Sequence, residues 1–227
     1  MNKKIWAIVL AGGQGKRMNS SVHKQYLLIH DRPVLYYTLH AFENSRADGI
    51  VLVCGSGEID YCREKIVDRY GFKKVLKIVE GGAERYHSVY NGLKAIEEAS
   101  CVLIHDGARP FVTEDIIDRN IECVKEYGAC VTAMPSKDTI KIADECGFVA
   151  DTPDRSRTWI VQTPQTFEFA LIKKAYEKLL SENMTGITDD AMVVEQALGY
   201  PIKFVEGSYT NIKITTPEDL KIAQILV

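Results

Sequence analysis

The chain has 227 residues, a hydrophobic fraction of 46% and a formal net charge of −3. A chain of this length forms one α/β domain or two small ones, and its mild acidity argues against general binding of nucleic acid, which requires a basic surface. No apolar run approaches the length of about 18 residues that spans a membrane, and the N-terminal apolar stretch is too short for a signal peptide. No two of the six cysteines are spaced C-x-x-C, so we expect reduced thiols in a cytoplasmic protein. From the charge and the apolar runs we expect no nucleic-acid and no membrane partner.

The first predicted strand, 5–10, ends in a glycine-rich turn. A continuous apolar run is typical of a buried parallel strand. The residues that follow it are small or cationic: Ala11, Gly12, Gly13, Gly15, Lys16, Arg17 and Lys24. Backbone N–H groups in such a turn can close on an anion, and nearby cations can neutralise phosphates, so the stretch predicts a site for a nucleoside triphosphate. It is not a Walker A loop, because Arg17 stands where that motif needs Ser or Thr. The alternative is a tight strand-to-helix connection with solvated charges.

Strands and helices alternate through the first part of the chain. Further strands are predicted at 49–55, 74–79, 101–104 and 129–134, and helices at 33–44, 58–70, 86–99 and 114–127, the last with Thr113 as its N-cap. This order predicts an α/β, Rossmann-like fold with a mostly parallel sheet and helices on both faces. Ligands bind such sheets at the carboxyl ends of the strands. Polar clusters follow three predicted strands, at 12–24, 81–88 and 105–110, so we expect them to meet in one site.

The pattern changes after residue 139. Two short segments on either side of Gly147 predict a protruding β-hairpin arm at about 137–158. This arm either packs on a partner chain or remains a surface hairpin of the monomer. The remaining predicted elements are helices at 168–182 and 189–198, the second capped by Thr188, short strands at 202–205 and 211–215, and a last helix from Pro217. No linker or repeat interrupts the sequence, so we expect a single domain over 1–227 with the arm attached.

The HDGARP stretch, 105–110, carries the candidate metal ligand. Asp106 follows a predicted strand and could hold Mg²⁺, which takes few protein carboxylates and several phosphate oxygens. Arg109 could clamp a second phosphate through two hydrogen bonds. The alternative is an N-cap Asp with a paired Arg. We expect His105 to pack or to donate hydrogen bonds rather than to act as a base, because no Ser stands in the context of a triad.

A second pair of glycines, Gly81 and Gly82, follows the strand predicted at 74–79. Backbone groups of this turn, with Ser88 beyond it, could face the edge of a nucleotide base. The alternative is an ordinary turn and helix cap.

Several motifs together resemble one family. They are AGGQGKRM (11–18), KQY (24–26), GGAERYHSV (81–89), HDGARP (105–110), KDTIK (137–141), DRSRTWIVQTPQTF (154–167), TDDA (188–191) and the NIKIT and PEDL parts of 211–220. The motifs are spread over essentially the whole chain. As a set they resemble the nucleotidyltransferases of the glycosyltransferase-A-like fold. More closely, they resemble the 2-C-methyl-D-erythritol 4-phosphate cytidylyltransferases of the non-mevalonate isoprenoid pathway.

The resemblance implies that CMP is transferred from CTP to 2-C-methyl-D-erythritol 4-phosphate, giving CDP-methylerythritol and pyrophosphate. It implies Mg²⁺ as cofactor and a homodimer whose arms embrace. Arg17 and Lys24 would stabilise the transition state, and Asp106 would hold the metal. The nucleotide would be bound by Ala11, Gly12, Gly13, Gly15, Gly82, Ala83 and Ser88. The second substrate would be bound by Asp106, Arg109, Thr139, Arg155 and Lys213, with Thr139 and Arg155 supplied by the arm of the other chain.

Some positions depart from the family's pattern. Gly12 stands where Ala is usual, His23 where Pro is usual, and Ala83 where Asp is frequent. Gly12 and Phe111 resemble the related ribitol-5-phosphate cytidylyltransferases of wall-polymer synthesis, so ribitol 5-phosphate is the alternative substrate. The DRSRTW and TDDA motifs favour the methylerythritol enzyme.

Two other classes of function are open at this point. A retaining glycosyltransferase would normally need an Asp-x-Asp metal motif, and Asp106 has no second Asp two residues on. A nucleotide-sensing regulatory domain would bind nucleotide without releasing pyrophosphate, and the pair Arg17 and Lys24 argues against it. The residues themselves do not separate CTP from UTP, because a pyrimidine pocket built from backbone has no side-chain signature.

Overall fold

The computed structural model describes residues 4–13, 18, 22–182 and 185–227. Its strands, in chain order, are β1 (Ile5–Ala11), β2 (Leu28–Ile29), β3 (Arg32–Pro33), β4 (Gly49–Cys54), β5 (Val75–Glu80), β6 (Cys101–Asp106), β7 (Ala129–Pro135), β8 (Ile142–Ala143), β9 (Val149–Asp151), β10 (Trp159–Glu168) and β11 (Lys203–Glu206). Its helices are α1 (Val34–Asn44), α2 (Ile59–Tyr61, continued as a π-helix over Cys62–Asp68), α3 (Arg85–Lys94), α4 (Glu114–Tyr127), α5 (Phe169–Ser181), α6 (Asp190–Leu198) and α7 (Pro217–Leu226).

Within these residues, seven strands form one sheet in the spatial order β11-β7-β10-β6-β1-β4-β5. β1 pairs in parallel with β4 and β6, β4 with β5, and β11 with β7. β10 runs antiparallel between β6 and β7. The predicted α/β fold with a mostly parallel sheet is therefore confirmed, and β10 is the antiparallel strand in it.

The side chains of β1 alternate between two hydrophobic cores, one on each face of the sheet. Trp6 and Ile8 belong to the core formed with α3, α5 and α6, whereas Ala7 and Val9 belong to the core formed with α1 and α4. Successive residues of a strand point to opposite faces, so the continuous apolar run of β1 is buried on both. Burial of one such Ile or Val side chain stabilises the fold by about 1.5–3 kcal/mol. The predicted placement of helices on both faces is confirmed.

Side-chain caps decide where two of the helices begin. The Thr113 side chain accepts a hydrogen bond from Ile116 N–H at 3.3 Å, which confirms the predicted start of α4. α6 is capped by Asp189, whose carboxylate accepts from Met192 N–H at 2.9 Å. The predicted cap at Thr188 is wrong by one residue. Asp189 is the better cap, because its carboxylate also interacts favourably with the positive end of the helix dipole.

The other predicted strands and helices shift by at most two residues at their ends, apart from a helix that ends early and a strand that does not form. The helix predicted at 86–99 ends at Lys94, and the helix predicted from Pro33 begins at Val34, with Pro33 as its N-cap. The strand predicted at 211–215 is irregular backbone. The last helix does begin at Pro217, after a capping box at Thr216, as its Pro at the first helical position predicts.

β8 and β9 form a separate two-stranded hairpin inside the arm predicted at about 137–158. Its apolar side chains are exposed: Phe148 is 73% exposed, Val149 63% and Ile142 47%. What these side chains contact in an assembly, and whether 1–227 behaves as one domain, stay predictions.

All six cysteines are unpaired in the structure, and five of them, all except Cys146, are buried or partly buried. Among the residues that the structure describes, no helix combines the length and the apolar composition needed to cross a bilayer.

Candidate active site

Three turns meet at the carboxyl edge of the sheet and line one cavity of about 620 Å³. They follow β1, β5 and β6, the strands after which the sequence places its polar clusters. The cavity is lined by Leu10, Ala11, Gly12, Gly13, Lys24, Gln25, Gly82, Ala83, Glu84, Arg85, Ser88, Asp106, Ala108 and Lys213. These segments come together because parallel strands end at the same edge of a sheet.

The turn after β1 passes close to the end of β4. A Cβ atom on Gly12 would lie 3.0 Å from the carbonyl oxygen of Cys54, which is tighter than ordinary contact. That oxygen already accepts a hydrogen bond from Gly81 N–H at 2.8 Å, so it is not free to move. The absence of a side chain at Gly12 therefore lets the turns after β1 and β5 lie side by side.

The Ser88 side chain shapes the turn after β5. Its Oγ accepts a hydrogen bond from Gly82 N–H at 3.0 Å and donates one to the carbonyl of Glu84 at 3.2 Å. Gly82 and Ala83 are exposed and line the cavity. With almost no side chain at either position, the turn can present backbone groups to a ligand.

Lys24 lies on a 3₁₀ turn of three residues, Lys24–Tyr26. The next residue, buried Gln25, donates from Nε2 to the carbonyl of Ala11 at 2.5 Å and ties the turn to the end of β1. The Tyr26 hydroxyl donates to the Glu58 carboxylate at 2.8 Å. Side chains therefore fix a turn that is too short to be stable alone, and Lys24 lines the cavity between these anchors.

A carboxylate surrounded by cations lies at the end of β6. Lys213 Nζ lies 2.8 Å from Asp106 Oδ2. The Nε atoms of Arg85 and Arg109 lie 3.7 Å from the same carboxylate. Burial alone would raise the pKa of Asp106, but the three cations outweigh burial and hold that pKa well below its usual range. Asp106 is therefore ionised at neutral pH.

Arg85 is a site residue that the sequence reasoning missed. Its guanidinium donates two hydrogen bonds to Asp190, at 2.9 and 2.7 Å, and Asp190 also accepts from the Tyr176 hydroxyl at 2.5 Å. A bidentate pair with a buried carboxylate fixes the plane of the guanidinium, so Arg85 presents its Nε to Asp106. The paired residues are 105 positions apart, and the only signal for the pair in the sequence is the TDDA motif at 188–191.

Lys213 reaches the cavity from the irregular segment that was predicted as a strand. Ile214 N–H donates to the carbonyl of Ala108 at 2.8 Å, and Arg109 donates to the carbonyl of Asn211, also at 2.8 Å. Backbone groups of this segment are thus hydrogen-bonded to the turn after β6 rather than to a neighbouring strand. This is the physical reason that the strand does not form and that Lys213 lies beside Asp106.

A second cavity, of about 370 Å³, shares Lys213 with the first. Arg109, Lys137 and Lys213 provide its cationic groups. Most of the other lining residues are apolar: Met134, Pro135, Ser136, Asp138, Ile140, Ile160, Val161, Gln162, Tyr209, Asn211 and Ile212. This combination suits a small molecule that carries a phosphate on a carbon skeleton.

Two predicted site residues line neither cavity, and two more are not in the part of the chain that the structure describes. Thr139 and Arg155 are exposed, and they lie before and after the β8–β9 hairpin. Neither lines the cavity that contains Lys24 and Asp106. Gly15 and Arg17 lie outside the described residues. The roles of all four stay predictions.

The donor groups at Asp106 fit a magnesium ion that binds together with phosphates. Among the described side chains, no three His, Cys, Asp or Glu residues cluster in a way that could hold a metal. Mg²⁺ usually keeps several waters and takes one or two carboxylates plus substrate phosphates. One ionised carboxylate facing a cavity meets that requirement, whereas it would not hold a structural metal.

His105 is fully buried and bonded through both ring nitrogens. The carbonyl of Arg109 can only accept, so His105 Nε2, 3.2 Å from it, carries the proton and donates. Nδ1 of the neutral ring then accepts from the Thr163 hydroxyl at 3.0 Å, and the oxygen of that hydroxyl accepts from Asp106 N–H at 3.1 Å. Burial lowers the pKa of His105 to about 4. The neutral ring is thus a support beneath the turn after β6, consistent with the prediction that it is not a base.

A comparison with protein families matches residues 5–227 to the family described as 2-C-methyl-D-erythritol 4-phosphate cytidylyltransferase (IspD). The match covers every segment that lines the two cavities.

Individual relatives agree with the family match. The chain is 52% identical over 225 residues to 2-C-methyl-D-erythritol 4-phosphate cytidylyltransferase of Lachnoclostridium phytofermentans, covering 99% of this chain and 97% of that protein. It is 53% identical over 215 residues to the protein of the same name from Clostridium botulinum, covering 94% and 93%. Among solved structures, it superposes on 4-diphosphocytidyl-2C-methyl-D-erythritol synthase of Anaerococcus prevotii with a TM-score of 0.87 at 36% identity, covering 99% of this chain and 96% of that one.

We expect acid to destabilise the protein through His105. Burial lowers its pKa to about 4 in the folded protein, whereas the unfolded value is about 6.5. Between these values the unfolded chain binds more protons than the folded one, so stability falls as pH is lowered through this window. The loss from this residue is about 3 kcal/mol, measurable by urea unfolding at successive pH values.

The matched control is His105→Gln, which keeps a polar side chain but does not titrate. This variant should be less stable at neutral pH, yet lose about 3 kcal/mol less than the wild type over the same window. Equal losses in the two proteins would contradict the assignment of the slope to His105.

Proposed function

Because the chain belongs to the 2-C-methyl-D-erythritol 4-phosphate cytidylyltransferase family, we infer that it transfers CMP from CTP to 2-C-methyl-D-erythritol 4-phosphate. The products are CDP-methylerythritol and pyrophosphate, and the reaction is a step of the non-mevalonate isoprenoid pathway. The observation that carries this conclusion is the family match over residues 5–227, which includes all three turns around the main cavity. Nothing in the comparisons favours the ribitol 5-phosphate alternative.

The chemistry needs no general base from the protein. The second pKa of a phosphate monoester is about 6, so the substrate phosphate is largely dianionic at neutral pH. One of its oxygens attacks the α-phosphorus of CTP, the bond from that phosphorus to the bridging oxygen breaks, and pyrophosphate leaves. His105, the histidine nearest to Asp106 in sequence, is neutral and occupied on both nitrogens, which agrees with this scheme.

The enzyme's main task is to bring two polyanions together and hold them in line. We propose that Lys24 and Arg17 stabilise the charge that develops at the α-phosphate. The position of Lys24 in the lining of the main cavity supports its half of this proposal. The assignment of Arg17 rests on the sequence.

The nucleotide is proposed to bind across the turns after β1 and β5. The first turn would cradle phosphates with backbone groups of Ala11, Gly12, Gly13 and Gly15, and the second would face the base with Gly82, Ala83 and Ser88. The small residues and the exposed backbone of both turns support this division.

Asp106 is the residue that would hold Mg²⁺. When bound, the ion would neutralise charge between the phosphates of the two substrates. Lys213 and Arg109 lie beside Asp106 and line the second cavity as well, so they are placed to receive the phosphate of the second substrate.

We propose that the enzyme is a homodimer and that each arm supplies Thr139 and Arg155 to the other chain's site. Two observations support this: these residues line no cavity with Lys24 in their own chain, and the hairpin between them exposes Phe148 and Val149. Apolar side chains exposed to this degree on a protruding hairpin are typical of a contact surface. A cytoplasmic location stays a prediction from the sequence.

The first test of the function is pyrophosphate release from CTP with Mg²⁺, using 2-C-methyl-D-erythritol 4-phosphate and ribitol 5-phosphate in parallel. We expect a kcat/KM at least about 10-fold higher for the methylerythritol substrate, because the matching family and relatives are named for that alcohol and a site suited to one carbon skeleton discriminates against another by about this factor or more. A preference for ribitol 5-phosphate would overturn the substrate assignment. Binding of CTP with no pyrophosphate release from either alcohol would favour a regulatory domain.

Replacement of Lys24 by Ala should lower kcat by at least about 100-fold, the scale of one lost donor to a developing oxyanion. The measurement is steady-state pyrophosphate release at saturating concentrations of both substrates. Lys178→Ala is the control, since the Lys178 side chain is 44% exposed on α5, lies 3.8 Å from Glu182 and lines neither cavity. An unchanged kcat in the Lys24 variant would remove that residue from the catalytic set.

Replacement of Arg155 by Ala should raise KM for the methylerythritol substrate about 10-fold to 100-fold, the value of a hydrogen bond to a charged group, with little change for CTP. Arg157→Ala, on the same exposed turn, is the control. A matched loss of CTP affinity would place Arg155 at the wrong end of the site.

Mixed dimers of the Lys24→Ala and Arg155→Ala chains test whether the arm acts on the other subunit. If it does, each mixed dimer contains one intact site, and random mixing restores about a quarter of wild-type activity when the methylerythritol substrate is kept below the wild-type KM, where both parent variants are slow. Activity no higher than the average of the two parent variants would mean that each arm serves its own chain.

A further inference from the structure

We propose that Glu58 is a positioning residue for the reaction: its carboxylate holds the short turn that carries Lys24 in place at the edge of the nucleotide cavity. Glu58 belongs to neither of the substrate cavities, and no sequence motif points to it. The inference rests on the catalytic role proposed for Lys24.

The Glu58 carboxylate binds on both sides of Lys24. On one side, His23 Nδ1 lies 2.6 Å from Glu58 Oε1. On the other, the Tyr26 hydroxyl donates to Glu58 Oε2 at 2.8 Å. Both oxygens of one carboxylate are therefore used to hold the two residues that flank Lys24 and Gln25.

The Glu58 carboxylate is itself held by the backbone of Gly55. Gly55 N–H donates to Glu58 Oε2 at 3.0 Å, and Glu58 N–H donates to the Gly55 carbonyl at 3.2 Å. A Cβ atom on Gly55 would lie 2.7 Å from Oε2, so any other residue at that position would displace the carboxylate. β4 ends one residue before Gly55, and the sheet therefore provides the rigid base of this anchor.

The Tyr26 hydroxyl remains protonated and donates a hydrogen bond to Glu58. Burial raises the pKa of Tyr26 far above its usual range, with further contributions from Cys62 and Glu58. Cys62 Sγ lies 3.1 Å from the same hydroxyl, and the Tyr26 ring packs against that of Tyr61 at 4.8 Å between centroids. The hydroxyl keeps its proton at any working pH and directs it to the Glu58 carboxylate.

The anchor matters because the turn cannot fix itself. Its backbone contributes the bonds from Tyr26 N–H to the His23 carbonyl, at 2.9 Å, and from Leu27 N–H to the Lys24 carbonyl, at 3.3 Å. Gln25 ties the turn to β1 from the inner side, and Glu58 ties it to the end of β4 from the outer side. These two contacts hold the backbone of Lys24 in place relative to the ends of β1 and β4.

The test is a double-mutant cycle on kcat. Glu58→Ala and Tyr26→Phe should each lower kcat about 10-fold, since a misplacement of about 1 Å can cost up to 100-fold. In a Lys24→Ala background, the same changes should cost less than about twofold, because there is no longer an ammonium group to position. Losses of kcat that multiply fully across the two sites would overturn the proposal. Tyr26→Phe keeps the ring packing and serves if Glu58→Ala does not fold.

A second measurement does not depend on activity. In the substrate-free protein, hydrogen–deuterium exchange at the amides of Tyr26 and Leu27 should be about 10-fold faster in Glu58→Ala than in the wild type. Glu64→Ala is the matched control, because Glu64 is on the same helical segment with its side chain 67% exposed. Unchanged exchange in Glu58→Ala would overturn the proposal whatever the activity. A wild-type protein that releases no pyrophosphate would instead overturn the proposed function, and the exchange result then decides whether Glu58 holds the turn.

Discussion

The buried carboxylate of Asp106 imposes the strongest constraint on this site, because an ionised group out of water needs cations around it. Those cations come from separate parts of the chain: Arg85 begins α3, Arg109 follows β6, and Lys213 lies in the irregular segment before α7. The positions of three segments are therefore coupled through one charge. The same cations form a ready environment for phosphates, so the interaction that orders the site also prepares it for anionic substrates.

Precise placement of catalytic groups depends here on side-chain anchors for short turns. The turn that carries Lys24 is a single helical turn. Its own Gln25 ties it to the end of β1, and Glu58 ties it to the end of β4. The Arg85 guanidinium is fixed in the same manner by the Asp190 carboxylate. In each case a carboxylate outside the main cavity, Glu58 or Asp190, helps to orient a cationic residue that lines it, and binding then requires little further ordering.

Sequence reasoning succeeded where local signals were strong and failed where the fold overrode them. The apolar runs and turn residues placed β1, β4, β5 and β6 and brought three polar clusters to one edge of the sheet. The strand predicted at 211–215 failed because its backbone groups bind the turn after β6 rather than a neighbouring strand. Arg85 was missed because its meaning comes from Asp190, far along the chain, and no spacing rule relates two such residues.

By itself, the sequence determined the α/β order, the edge of the sheet at which the site lies and the family to which the chain belongs. These follow from periodicity and from motifs, which are properties of neighbouring residues. Only the tertiary structure decided which side chains meet: the cations around Asp106, the neutral tautomer of His105, and the anchoring of Lys24 through Glu58. The reason is physical, since hydrogen bonds and buried ion pairs depend on distances of a few tenths of an ångström between groups that the chain brings together only when it folds.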